Sequence, residues 1–284
     1  MPVTAEQIAT YDRDGAVRLP GLFSTWVEPL RDAVLEVIDG VRRGRAPAQT
    51  GPGKHLNPMK VIEEFGGGAM ALNIVPHHAG FGTWLEQSPA AQVTAAIMQS
   101  KCSRFWVDAS FLKDQAGATA GTPWHNDTCT WPFWGRQMTI LWIALTDVDA
   151  DNAPLTTIRG SHAGDGRYYS TFFPQDQPPP PGYRPWSELL AQAEGPSAEV
   201  QVWTMQRGDC VLMHPSTIHG SLPRAATQGQ PRLAFSTRWL GDDVVWKPDA
   251  LTARMTERLN DHPDMVYGAP PPDGVMPAQW PRQV

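Results

Sequence analysis

A chain of 284 residues with 41% hydrophobic content is long enough for one large core, which excludes a disordered polymer. Gly (25) and Pro (28) stay below low-complexity levels and predict many short elements joined by turns. Acidic residues exceed basic ones, 29 to 23, and only five of the latter are lysines, so no broad cationic face is offered to nucleic acid or anionic lipid, and the expected partner is a small molecule.

In chain order, Thr4 with Gln7 reads as a capping box opening a helix that carries Ile8 and Tyr11 on one face and stops at Gly15. A strand over Ala16 to Leu19 follows. Ser24 or Thr25 is the expected cap of a second helix, with Trp26, Leu30, Val34, Val37, Ile38 and Val41 at helical spacing. Arg42, Arg43 and Arg45 read as a solvated turn. Ala46 to Gly68 is dense in Gly and Pro and reads as a covering loop or lid, with Val61 to Phe65 its compact apolar piece. Ser88 to Met98 predicts a further helix, with Ser88 as cap and Pro89 at its first position. Segments 104–112, 137–147, 154–158, 200–204, 209–214 and 232–240 then read as strands without intervening helices. The pattern describes a mainly β fold, an antiparallel sandwich or barrel behind a helical N-terminal layer. A proline-rich excursion (172–185) and an irregular tail complete the chain. We expect a single domain over 1–284: helical layer about 1–100, strand core about 101–245, tail 246–284.

The N-terminus has acids where a secretory signal has basic residues, and no run of about 18 apolar residues occurs. Cys102, Cys129 and Cys210 are odd in number and far apart, without a C-x-x-C pair. A cytoplasmic protein, not bound to membrane, is the expectation.

The segment from Thr122 to Trp134 holds three of the twelve tryptophans (Trp124, Trp131 and Trp134) together with Phe133, His125 and Asp127. On a strand, His125 and Asp127 project from one face about 7 Å apart and can grip one cation. An isolated H-x-D is common as a surface pair, so a third donor is needed. His219 and His214 lie downstream, and two histidines plus one carboxylate leave open positions for a cosubstrate and O2, as in non-haem Fe(II) oxygenases. Cys129 argues for zinc only weakly, because one thiolate does not close a structural site. After His219, the residues Arg232, Ala234, Ser236 and Arg238 share one face of a strand. A guanidinium there can pair bidentately with a dicarboxylate.

These strings, with W-H-N-D at 124–127, L-W-I-A-L-T-D-V at 141–148, R-G-S-H at 159–162, G-D at 208–209, H-G-S at 219–221 and R-L-A-F-S-T-R-W-L-G-D-D at 232–243, resemble the phytanoyl-CoA dioxygenase (PhyH) family of Fe(II)/2-oxoglutarate-dependent oxygenases. The resemblance spans roughly residues 5–245. It implies a double-stranded β-helix, the jelly roll of the cupin-like folds, with Fe(II) held by His125, Asp127 and His219. It implies that Arg232 binds the distal carboxylate of 2-oxoglutarate, with Ser221 donating a hydroxyl nearby and Trp142 lining the cosubstrate pocket. Trp131 matches a tryptophan near the substrate in the family's ectoine hydroxylases. Because H-G-S follows His219, the resemblance leaves His214 structural. Two departures stand out: the usual Asn-Gly is Asn152-Ala153, and the usual proline before G-S-H is Arg159, which reaches either the substrate or one of Asp147, Asp149 and Asp151. The family's halogenases replace the ligand carboxylate with a small residue, so Asp127 points to hydroxylation or another oxygenase outcome.

The implied activity is oxidation of a C–H bond in a small-molecule metabolite, with O2 and 2-oxoglutarate as cosubstrates and succinate as coproduct. Trp124, Trp131, Phe133 and Trp134 would wall the pocket, the alternative being core packing. Two other readings stay open: a cupin-like metal hydrolase or isomerase without 2-oxoglutarate, and a non-catalytic binding module. The few lysines disfavour acyl-CoA, and the sequence leaves the oligomeric state open.

Overall fold

The structure, a computed structural model, describes residues 3–45, 58–63, 67–114, 119–164, 166–169, 173, 176–223 and 231–281. Helix α1 (Ala5–Asp14) is closed by the expected capping box, the Gln7 amide donating to Thr4 Oγ1 at 3.2 Å and the Thr4 amide to Gln7 Oε1 at 2.8 Å. It ends at Gly15, whose φ of 79° is left-handed and where a Cβ would meet His162 Nδ1 at 2.5 Å, so only glycine fits both the turn and the contact. Strand β1 (Ala16–Leu19) leads to a tight helical turn at Ser24–Trp26 and then to α2 (Val27–Arg42). Neither Ser24 nor Thr25 caps that helix: the Ser24 hydroxyl donates back to Gly21 O at 2.9 Å, and the α-helix starts beyond the turn with no side-chain cap.

Part of the expected lid, 46–57 and 64–66, lies outside the described residues. Of the described part, Lys60–Ile62 is a strand, β2, which pairs with β3 (Ala69–Leu72) just beyond the expected lid to form a hairpin edge. Helix α3 (Ala79–Gln87) is not foreseen by the sequence reading, because two glycines dilute its apolar pattern, yet it buries Phe81, Trp84 and Leu85. Ser88 and Pro89 form the elbow to α4 (Ala90–Ile97), with Ser88 Oγ accepting from the Ala90 amide at 3.3 Å. The expected strands follow as β4 (Ser103–Lys113), β6 (Met138–Ala144), β7 (Leu155–Ile158), β10 (Val200–Val202), β11 (Cys210–Met213) and β13 (Arg232–Leu240). Between and after them come β5 (Phe133–Trp134), β8 (Arg167–Tyr168), β9 (Tyr183–Arg184), α5 (Trp186–Ala193), β12 (His219–Ser221), β14 (Val245–Trp246) and α6 (Glu257–Asn260). The tail is less irregular than its composition suggests, since β15 (Ala278–Trp280) pairs with β4.

An eight-stranded sheet runs β1-β11-β6-β13-β4-β3-β2, with β15 beside β4, and a second sheet runs β10-β7-β12. The pairings within both are antiparallel, the jelly-roll arrangement that the resemblance implies. Period-two alternation divides β13. Phe235 turns to the helical layer, stacking on Phe81 (centroids 5.2 Å) and meeting Trp84 edge-on at 5.0 Å, and each such buried ring stabilises the layer by about 2–3 kcal/mol. Arg232, Ala234, Ser236 and Arg238 turn to the opposite face. The ladder with β4 slips once: Thr237 faces Asp108 while Trp239 faces Phe105, so Arg238 alone opposes Trp106 and Val107. This bulge sends Trp106 to the Arg238 face. Among the described residues no helix is long and apolar enough to cross a membrane.

Candidate active site

His219 opens β12, and His125 reaches it through a reciprocal backbone pair, the His125 amide on His219 O at 2.9 Å and the His219 amide on His125 O at 2.8 Å. The two imidazoles thereby lie with centroids 4.2 Å apart, their planes tilted by 50°. The strand expected to carry both His125 and Asp127 is only this single bridge. The Asp127 amide is drawn instead to Pro215 O at 2.9 Å, and the chain winds into a tight turn at Thr128–Thr130. Asp127 still faces the histidines: its Oδ1 lies 3.7 Å from His125 Nε2 and 3.8 Å from His219 Nε2, and the three donor atoms fall within 4.8 Å of one another.

The proton positions follow from the partners. His125 Nδ1 lies 2.7 Å from Pro123 O and His219 Nδ1 lies 2.9 Å from Thr217 O. A carbonyl only accepts, so each Nδ1 carries a hydrogen and each Nε2 is the nitrogen left facing Asp127, the orientation a metal-ligating histidine needs. Burial, reinforced by the charge of His219, pushes His125 down to about 4 and keeps it neutral at physiological pH. Burial also acts to raise Asp127, but Arg238 and then the two histidines outweigh it, and the carboxyl lies below its ordinary range. The donor set therefore suits a divalent ion of the iron group and leaves one face of it open.

A second feature lies at the start of β13. Arg232 is buried, 3% exposed, and donates from Nη1 to Ala153 O at 2.7 Å. Its Nε has no partner, and its guanidinium stands 5.5 Å from the Trp142 ring centroid. No carboxylate among the described residues pairs with it, and burial alone pulls it down to about 10. Directly across the ladder, on the same face, is Lys113, itself buried and drawn down to about 8 by burial and by the charge of Arg232. Ala153, where the family's glycine is usual, adopts φ 63°. The backbone there is left-handed, uncommon for a residue with a side chain, and its carbonyl is the one that holds Arg232.

Other expected residues are placed as follows. Trp142 lies on β6 between Val211 and Ser236. The Ser221 hydroxyl accepts from the Thr122 amide at 2.8 Å and donates to Thr122 Oγ1 at 3.1 Å, tying β12 to the segment leading into His125. The four aromatics of 124–134 do not gather in one enclosure. Trp131 and Phe133 are sealed in the main core, edge-on to Trp106 at 4.9 and 5.1 Å. Trp124 is half-buried against a smaller cluster with Ile158 and Ile218, and Trp134 is 44% exposed beneath the Arg167 guanidinium, 3.8 Å from its ring centroid. Arg159 reaches none of Asp147, Asp149 and Asp151. It donates to Gln201 Oε1 at 2.8 Å and faces Glu199 at 3.8 Å and Asp14 at 4.0 Å. His214 packs on His162 and accepts from the Ser216 amide at 3.1 Å. Cys129 Sγ donates to Asn126 O at 3.4 Å. Sequence reasoning missed Lys113 and the contact of Arg238 with Asp127. Both depend on strand register, which no local motif announces.

The family model of phytanoyl-CoA dioxygenase (PhyH) matches residues 11–233, well over half of the chain, while a search of the curated proteins returned no match. Among solved structures, the non-heme alpha ketoglutarate dependent carbocyclase SnoK from nogalamycin biosynthesis superposes with a TM-score of 0.67 at 18% identity, covering 97% of this chain and 96% of that one. The epimerase SnoN from the same biosynthesis gives 0.65 at 20%, covering 96% and 97%. EctD from S. alaskensis with bound Fe gives 0.64 at 17%, covering 95% and 89%. At these identities the structural likeness speaks for the fold alone, and membership rests on the family model. From its eleventh residue to the second position of β13, the chain belongs to the phytanoyl-CoA dioxygenase (PhyH) family.

Proposed function

We propose that this chain is a non-haem Fe(II)/2-oxoglutarate-dependent dioxygenase that oxidises a C–H bond of a small-molecule metabolite, with O2 consumed and 2-oxoglutarate converted to succinate. Iron with the bound 2-oxo acid supplies O2 activation and C–H oxidation. The chain supplies placement. His125, Asp127 and His219 would hold Fe(II) from one side. Arg232 would pair bidentately with the distal carboxylate of 2-oxoglutarate, with Lys113 adding charge and Trp142 walling the guanidinium. Ser221, engaged with Thr122, would keep the two histidine-bearing segments in register. Trp131 and Phe133 would exclude water from the oxidising site, with Trp124, Trp134 and Arg159 as outer candidates for substrate contact.

The observation that carries this reading is the buried Arg232, whose Nε is unsatisfied and which no acid among the described residues compensates. A buried cation of that kind costs several kcal/mol unless an anion completes it, and a hydrolase or isomerase using the triad alone has no use for it. SnoN in complex with Fe3+ and alpha ketoglutarate, and EctD with 2-oxoglutarate and 5-hydroxyectoine, share the fold and support the same cosubstrate here. An epimerase, a carbocyclase and a hydroxyectoine-bound protein all occur on this fold, and the carboxylate at Asp127 favours hydroxylation or another oxygenase outcome over halogenation. Acyl-CoA is disfavoured further, since Lys113, one of only five lysines, is buried in the site.

The test is to add 2-oxoglutarate to the anaerobic Fe(II) protein. A visible charge-transfer band supports the oxygenase, metal binding without a band favours the hydrolase or isomerase, and failure to bind metal leaves a binding module. A metabolite panel screened for substrate-stimulated succinate formation then identifies the substrate.

A further inference from the structure

The second arginine on the site face of β13 is placed beside the metal triad. Arg238 Nη2 donates to Asp127 Oδ2 at 3.3 Å, while Oδ1 of the same carboxylate is the oxygen turned to both histidine Nε2 atoms, at 3.7 and 3.8 Å. The two oxygens thus have separate partners. The guanidinium is itself held: Nη1 donates to Ser236 O at 3.3 Å, its side chain is only 13% exposed, and its strand is paired on both sides, to β4 and β6. It stands opposite the bulge, where Trp106 and Val107 together face a single residue. Asp108, buried on β4 and accepting from the Ile74 and Val75 amides at 2.9 and 3.1 Å, is a further carboxylate that attracts it.

A carboxylate can bind a metal through one oxygen or through both. Three protein donors on one side of a six-coordinate ion leave three positions, two for a chelating 2-oxo acid and one for O2. If Asp127 supplied both oxygens, one of those positions would be lost. From this, and resting on the function proposed above, we infer that Arg238 is a positioning residue that restrains Asp127 to one-oxygen coordination and so keeps free the place the cosubstrate needs. The task calls for arginine, whose planar fork fixes an oxygen in direction as well as in charge.

The experiment compares the unmodified protein with Arg238→Met, Arg238→Gln and Arg238→Lys under anaerobic conditions. Fe(II) affinity is measured by chelator competition, the charge-transfer band is titrated with 2-oxoglutarate, and melting temperature reports folding. In the Met and Gln variants Fe(II) affinity should hold or tighten, because a cation near a dication has been removed. The 2-oxoglutarate needed for half the band should rise by about tenfold or more, and Lys should recover part of the loss. An ion pair serving only stability would lower melting temperature and both affinities together, and that pattern overturns the inference. So does an unchanged 2-oxoglutarate dependence in folded variants, or a Lys variant no better than Met. Absence of the band in the unmodified chain overturns the functional reading and this inference with it, whereas a normal band there with unaffected variants overturns this inference alone.

Discussion

Strand β13 presents two arginines to the same face, and their surroundings are opposite. Arg238 has Asp127 at 3.3 Å. Arg232, near the other end, has a single carbonyl, an unsatisfied Nε and a second cation, Lys113, across the ladder. Around Arg238 the polar groups are already matched: each ligand histidine has its Nδ1 on a carbonyl, and both oxygens of Asp127 have neighbours. Among the described residues no carboxylate pairs with Arg232. The difference separates a site built in advance from a site completed by its ligand. Preorganised donors fix geometry at little reorganisation cost, whereas on the proposed function the buried cation would lower the stability of the free protein by an amount that an arriving dicarboxylate would return as affinity.

Substitutions and pH changes can break this contrast at either end. The largest effect should come from Asp127→Ala, which removes a ligand and strands Arg238. Fe(II) affinity should fall on the order of 10³-fold, and a titration showing retained affinity would remove Asp127 from the metal set. Next is Arg232→Met, for which the dissociation constant of 2-oxoglutarate should rise by about 100-fold while the melting temperature of the ligand-free protein stays level or rises. Calorimetry and thermal unfolding read the two quantities separately, and a lower melting temperature with intact affinity would make Arg232 structural. A smaller effect is set by pH. Lys113 titrates at about 8, below the ordinary lysine value, so it is charged at pH 7 and loses its charge on the way to pH 9. Affinity for 2-oxoglutarate should therefore decline several-fold over that interval, with Lys113→Met flattening the decline, and a profile indifferent to the substitution would dissociate Lys113 from the anchor. The smallest effect is expected from Ala153→Gly. Relief of a left-handed alanine is offset by the lost methyl and by unfolded-chain entropy, so stability should stay within about 1 kcal/mol of the parent. A larger loss in chemical denaturation would mean that the methyl is a packing element.

Much of the site was legible because its residues sit in short local strings. The strands announced themselves through β-branched runs between turn residues, and the donor types of His125, Asp127 and His219 name their own chemistry. What stayed hidden depends on partners far along the chain. Lys113 and Arg232 meet only through the register of β4 with β13, and Arg238 finds Asp127 only once the segment after His125 has turned on Pro215. The tryptophans misled in a different way. Their closeness in sequence suggested one enclosure, but a buried bridge, a tight turn and a two-residue strand distribute Trp124, Trp131 and Trp134 into three separate surroundings. Helix α3 was obscured because its glycines lower the apolar count although its rings lie deep in the core.

The slipped register in β4 has a consequence for how the packing beneath the site can change. Because two residues stand opposite Arg238 where a regular ladder would have one, the direction in which Trp106 points is set by an insertion, independently of its identity. Deleting Val107 would leave Trp106 facing Arg238 alone and take away the local twist that the bulge adds beside Trp131 and Phe133, without altering any of the three aromatic residues. The packing around Trp106 can then change by a single deletion, a step that a comparison of residues one position at a time would record as no change at all.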